Sequence, residues 1–297
     1  MTPALVALIH VTDVTRITPR MVRVTFTGDG LDALTAWPDQ QLKLCFPRPG
    51  QDTPRLPDAG AEGDAMRWYQ AFLAIPEDER PWMRSYTVRS HDPARREITV
   101  DFVLHDGESG PATRWAASAA VGDTLGRYGP DAAYAGQLPL DTADWLLFAG
   151  DATALPAISS LIEQLPDDAR ALACVEVADA AEEQPLAVDR PGVTVRWVHR
   201  QDASGGPGEA LLHAVRDADI PSGETFAWLA GEAGTVRTLR RHLVGERGLA
   251  KGRIHFTGYW RRSLTQDDAP TEEDLAEAQE RISALRAESE SGAGQGS

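Results

Sequence analysis

From Trp145 to Tyr259 the chain alternates short apolar runs with segments of helical spacing, and this alternation restricts the fold more than any other feature. WLLFA at 145–149 gives way to the turn GDATALP and then to AISSLIEQL, whose apolar residues recur at helical intervals. The same succession of strands and helices runs through Ala171–Val177, Val193–Val198, Gly208–Val215, Thr225–Ala230, Val236–Val244 and Ile254–Tyr259. It predicts a parallel sheet with helices on both faces, with ligands bound at the carboxyl ends of the strands.

Upstream the period is different. Val22, Val24 and Phe26 alternate with Met21, Arg23, Thr25 and Thr27, the pattern of a half-buried strand. Gln41–Phe46, Ser85–Val88, Glu97–Leu104 and Asp123–Tyr128 are further strand candidates, separated by turn-rich segments. Short strands without a long helix predict a small antiparallel barrel or sandwich. Beyond Arg262, Thr271 and Asp274 resemble a helix cap. Leu275, Ala278, Ile282 and Leu285 then form a narrow apolar stripe, so a C-terminal helix is expected to pack back onto the body, followed by a disordered SGAGQGS. That helix either gates the neighbouring cleft or clamps an apolar patch.

Charge and cysteine content narrow the function. A net charge of −16 repels nucleic acid and anionic membrane, so neither is an expected partner, and any anionic ligand needs a local basic pocket. The N-terminus carries no basic leader with an apolar core and no run of eighteen apolar residues occurs, which reads as a cytoplasmic protein. Cys45 and Cys174 are the only cysteines, giving no disulfide framework and no iron–sulfur or other metal motif. Redox chemistry here requires an organic cofactor.

Four segments carry candidate chemistry. In RSYTVR, Arg84 suits a pyrophosphate, Tyr86 offers a flat face and Thr87 a small hydroxyl, though a surface arginine and a core tyrosine would look the same. In DFVLHDGESGPATRWA, glycines let a ligand approach, Pro111 opens a helix, and Ala112 and Thr113 present N–H groups and a hydroxyl to an anion; a plain capped helix is the alternative. FAGDATALP has one glycine where a GxGxxG loop has three, yet it sits at a strand-to-helix switch. AGEAG at 230–234 is a second such loop.

Together with GDTLGRYGP, LAGEAGTVRTLRRHL and FTGYWRR, these motifs, in this order, resemble the siderophore-interacting protein family, flavin-dependent ferric-siderophore reductases related to ferredoxin reductases. The resemblance, which covers about residues 5–262, implies a six-stranded FAD-binding β-barrel (1–138) and an NADH- or NADPH-binding α/β domain (139–265); the C-terminal helix and tail read from the residues occupy 266–297. It implies FAD contacts from Arg84, Ser85, Tyr86, Thr87 and Val88, with Thr87 beside the reactive nitrogen, and from His105, Gly110, Ala112 and Thr113. The resemblance also implies that Asp151, Thr153, Ala154 and Glu232 border the nicotinamide cleft, and that Lys43, Arg127 and Arg261 or Arg262 form a basic triad for a ferric siderophore; the protein is expected to act as a monomer. A ferredoxin or flavin reductase of the same fold and a non-catalytic siderophore carrier are the rival readings. Coenzyme choice stays open: Glu176 and Asp179 disfavour a 2′-phosphate, whereas Arg196, His199 and Arg200 favour one.

Overall fold

A computed structural model describes residues 5–34, 37–57, 65–105, 110–129, 138–186, 189–200, 206, 208–221, 223–262, 264, 271–272, 275–276 and 279. The first half forms an antiparallel sheet from β1 (Val6–Thr18), β2 (Met21–Gly28), β3 (Gln41–Phe46), β4 (Trp82–Thr87), β5 (Ser90–Asp92), β6 (Glu97–Val103) and β7 (Thr124–Tyr128). Its order is β4-β3-β7-β1-β2-β6-β5, seven strands where six were expected, the extra one being the three-residue β5 of a hairpin. The sheet curls without closing. β1 pairs with β7 at one end and β2 along the rest, with bulges near Asp13 and Thr18, and a bulge bends a strand and sharpens its twist.

Helix α1 (Ala65–Leu73) went unrecognised in the sequence because only Trp68 and Phe72 mark its buried side. These two cover Cys45 and Val6 on the outer face of the sheet. Helix α2 (Pro111–Ser118) opens at its proline as expected and packs against β3, β4 and β6, spanning the unclosed side of the barrel. Its Trp115 meets Phe46 and Phe102 with ring centroids 5.5 Å from each, sealing an interior built from Ile9, Val24, Phe26, Leu44 and Leu125.

The second half is a parallel sheet of β8 (Trp145–Asp151), β9 (Ala171–Val177), β10 (Val193–His199), β11 (Thr225–Glu232) and β12 (Ile254–Trp260), ordered β10-β9-β8-β11-β12. Alternation sends Leu146 and Phe148 of β8 toward α3 (Leu155–Glu163). Trp145, Leu147 and Ala149 point to the other face, toward α4 (Glu209–Arg216) and α5 (Ala233–Gly245). Both faces of β8, β9 and β11 are therefore buried, which is why these strands are apolar runs in the sequence. The order reverses between β8 and β11, the switch point where ligands bind. Most of the expected C-terminal helix, Ala278, Ile282 and Leu285 of its stripe included, lies outside the described residues. Leu275 is exposed.

Several contacts lock the two halves together. Arg89 makes two hydrogen bonds to the Glu163 carboxylate at 2.9 and 2.5 Å, and its carbonyl accepts Ser160 Oγ. Thr18 Oγ1 donates to buried Glu182 at 2.5 Å, and Met21 inserts into the α3 face of the parallel sheet. Asp39 sits in left-handed backbone at φ 59° just before β3. Its carboxylate accepts the Trp228 indole N–H at 2.8 Å and stands 3.5 Å from His255 Nε2.

Burial raises the Asp39 carboxyl to about 6, with the Trp228 hydrogen bond opposing the shift. The folded state thus holds that proton more tightly than the unfolded chain. The associated stability is complete below about pH 4 and is lost as pH rises through about 6, a change of about 2–3 kcal/mol for this group. Asp39→Asn keeps an oxygen for Trp228, and its urea midpoints should change less over that interval than those of the parent.

Candidate functional site

Strand β4 is the edge of the antiparallel sheet, and it departs from ordinary alternation: Trp82 to Tyr86 are all partly exposed and only Thr87 is buried. Its register with β3 assigns two faces. Trp82, Arg84 and Tyr86 share the inner face with Phe46, Leu44 and Leu42, while Met83, Ser85 and Thr87 share the outer face with Cys45, Lys43 and Gln41. Tyr86 lies against Phe102 at 4.5 Å between centroids, and burial pushes its phenol well above the ordinary range. Arg84 donates to the Met83 carbonyl at 2.8 Å and remains partly exposed. Val88 is core, so it contributes backbone only.

The start of α2 offers a complementary surface. Gly110 caps the helix with no side-chain hydrogen bond, and a Cβ there would meet nothing within 4 Å. Ala112 is buried, leaving its amide as the functional group, Thr113 is partly exposed and His105 is exposed. An arginine, an open helix start and an edge strand with exposed backbone make a donor set that fits the pyrophosphate and ribityl portions of FAD.

At the switch point of the parallel sheet the Asp151 carboxylate organises the crevice. One oxygen accepts Thr153 N at 2.9 Å and Thr153 Oγ1 at 2.5 Å. The other accepts Glu232 N at 2.9 Å and the Trp260 indole at 2.8 Å. Gly231 at φ 135° permits this approach, since its Cβ would stand 2.7 Å from Asp151 Oδ2. Glu232 caps α5 through Thr235 N and Oγ1, and Ala154 is fully buried. The cleft above is lined by Asp151, Glu176, Arg200, Gly208, Leu211, Glu232, Thr235 and Trp260.

Tyr259 joins the crevice to the barrel. Its buried hydroxyl faces the side chains of Thr87 and Gln41; burial, then the Asp39 charge, pushes its phenol well up, and these two neighbours oppose the shift. Thr87, expected beside the reactive ring, is buried at 6% exposure under this contact. The sequence alone gives Tyr259 and Trp260 no role; the signal for one is an aromatic pair ending the last strand of a ligand-binding sheet.

The expected basic triad separates. Lys43 and Tyr128 are paired across β3 and β7, as are Leu44 and Arg127, so Lys43 and Arg127 point to opposite faces. Arg127 is fully buried, donates to the Gly129 carbonyl, and has its pKa lowered by burial to about 10. Arg127 is thus held in the interior, on the opposite face of the sheet from Lys43. Lys43 is on the outer face, exposed as a residue and donating to Ser85 Oγ at 3.2 Å; burial around the ammonium lowers its pKa, with Cys45 opposing. It stands two residues, about 7 Å, along β3 from Gln41 and thus from the Tyr259 contact. Arg261 is partly exposed in a bridge with Leu264, and Arg262 reaches toward Gly206 beside α4.

Comparison with known proteins agrees with this division. The siderophore-interacting FAD-binding domain matches residues 10–134, and the domain described as siderophore-interacting protein matches residues 143–263. The chain is 32% identical to the ferric vibriobactin reductase of Vibrio cholerae over 258 residues, 84% of this chain and 88% of that protein. It is 30% identical to the NADPH-dependent ferric-chelate reductase of Escherichia coli, over 83% and 89% of the two chains. The crystal structure of a siderophore utilization protein from T. fusca superposes with a TM-score of 0.70 at 38% identity, covering 89% of this chain and 95% of that one.

Asp151→Ala strands donors from three segments in a buried place, and should lower stability by roughly 3–5 kcal/mol. Urea denaturation followed by tryptophan fluorescence checks this, and Asp151→Asn, which keeps one acceptor oxygen, should lose less.

Proposed function

The chain belongs to the siderophore-interacting protein family, and from that premise we propose that it reduces ferric siderophores with electrons from NADH or NADPH through bound FAD. The observation that supports this reading is that Tyr259, at the carboxyl end of β12 beside the switch point, faces Thr87 on the edge strand of the barrel. FAD supplies the conversion between a two-electron hydride donor and a one-electron Fe(III) acceptor. The chain's task is to hold and to order. Arg84 and the open start of α2 would hold the pyrophosphate of FAD, and Ser85, Tyr86 and the β4 backbone would hold its ribityl and ring portion. Thr87, with Tyr259 over it, marks the place where donor and cofactor meet and excludes water from it.

Iron release follows from coordination chemistry, because the hard oxygen ligands of a siderophore hold Fe(III) more tightly than Fe(II). No acid or base is required of the protein. Lys43 supplies positive charge on the open outer face between the Tyr259 contact and α1, and this steers an anionic chelate across an otherwise acidic surface. The Escherichia coli relative's name supports a nicotinamide donor, and the family match supports the FAD.

Two substitutions test the assignment. Arg84→Ala removes charge-assisted hydrogen bonds worth ~1.5–3 kcal/mol, so FAD affinity should fall by roughly one to two decades, measured by flavin titration. Unchanged flavin affinity overturns the pyrophosphate role. Lys43→Ala should raise KM for an anionic ferric chelate roughly three- to tenfold at low salt, less at high salt, with flavin content intact. An equal rise with a neutral chelate points instead to a structural lysine.

A further inference from the structure

We infer that the nucleotide cleft of the α/β domain selects NADH over NADPH, and that buried Glu176 sets this selection by withdrawing Arg200 from a 2′-phosphate. The inference rests on the nicotinamide reading above. NADPH differs from NADH by one phosphate monoester, which carries about 1.5 to 2 negative charges near pH 7. Holding it calls for cations whose charge is not already balanced by the protein.

Each of the three cations in this region has an internal acceptor. Arg196 Nη1 donates to the Ala214 carbonyl at 2.8 Å, turning it toward α4. His199 Nε2 lies 2.7 Å from Glu183 Oε1. Arg200 Nε donates to Glu176 Oε1 at 3.2 Å. The last pair is asymmetric: the arginine side chain is 39% exposed and lines the cleft, while the glutamate is 3% exposed. Glu176 also accepts the Gly208 amide at 3.0 Å, so it is pinned at the end of β9. Gly208 itself is held against α5, since a Cβ there would stand 2.1 Å from Thr235 Oγ1.

A buried, pinned carboxylate neither rotates away nor is screened by salt, so its negative charge is a permanent feature of the cleft wall. Asp151 and Glu232 add two more carboxylates to the same wall. Arg262, whose Nη1 lies 3.7 Å from where a Cβ on Gly206 would stand, is a further cation beside this region, and three lining carboxylates still outnumber two arginines. An acid at the end of the second strand is the feature that accompanies an unphosphorylated ribose in sheets of this kind. Here Glu176 acts as a positioning residue, because its oxygens are engaged by Arg200 and Gly208.

The test uses the FAD-loaded protein and two redox-inert probes, ADP and 2′,5′-ADP, titrated by calorimetry, beside KM values for NADH and NADPH. The wild type should bind ADP at least tenfold more tightly and show the lower KM with NADH. Glu176→Gln keeps an oxygen for Gly208 but removes the charge, and should narrow both ratios about tenfold, a shift of about 1.4 kcal/mol. A purely structural Glu176 would lower the melting temperature without moving either ratio, and that result overturns its role. Equal or tighter binding of 2′,5′-ADP by the wild type overturns the selection, whether or not the variant folds. If both coenzymes leave the flavin oxidised, the nicotinamide reading fails and takes this inference with it, whereas reduction with reversed preference sinks the inference alone.

Discussion

The Asp151 carboxylate is the contact on which the rest of the α/β half depends. It gathers the turn after β8, the start of α5 and the indole that ends β12, three segments far apart in sequence. Helix starts in such sheets ordinarily leave amides for a ligand. Here a side chain of the protein already takes one amide from each of the two turns at the switch point. The crevice is consequently ordered before any nucleotide arrives, and its lower wall is negative. Tyr259, adjacent to Trp260, is carried into place by the same anchor, so the contact with Thr87 inherits its position from Asp151.

That dependence extends to the relation between the halves. Arg89 with Glu163, Thr18 with Glu182, and Asp39 with Trp228 tie barrel to sheet at separated points. Separated ties resist rotation better than one tie of equal strength. The site between the halves is therefore a fixed junction whose geometry is set during folding.

Much of the fold was legible because periodicity is local. Gln41–Phe46 and Ala171–Val177 coincide with β3 and β9 to the residue, since alternation and continuous apolar runs report their burial directly. Helix α1 was hidden by its short apolar side, and β5 by its three residues. The site was half legible. RSYTVR, at a strand, and FAGDATALP, at a strand-to-helix turn, stand out as ligand-binding candidates by residue type, and the structure puts them at an edge strand and a switch point. What sequence could not supply is partnership across strands. Lys43 and Arg127 look equivalent as cations near strand ends, but register places them on opposite faces and buries one of them. Glu176 and Arg200 likewise look like opposing votes on coenzyme choice until the structure joins them in one ion pair.

Strand β4 has a consequence apart from catalysis. It ends the hydrogen-bonded order of its sheet, and nearly all of its side chains are partly exposed. An edge of this kind is a template for another strand unless something covers it. If the cofactor lies along β4, it also serves as the cover. Loss of flavin then uncovers an adhesive edge, so keeping the cofactor bound protects the protein from self-association as well as keeping it able to pass electrons.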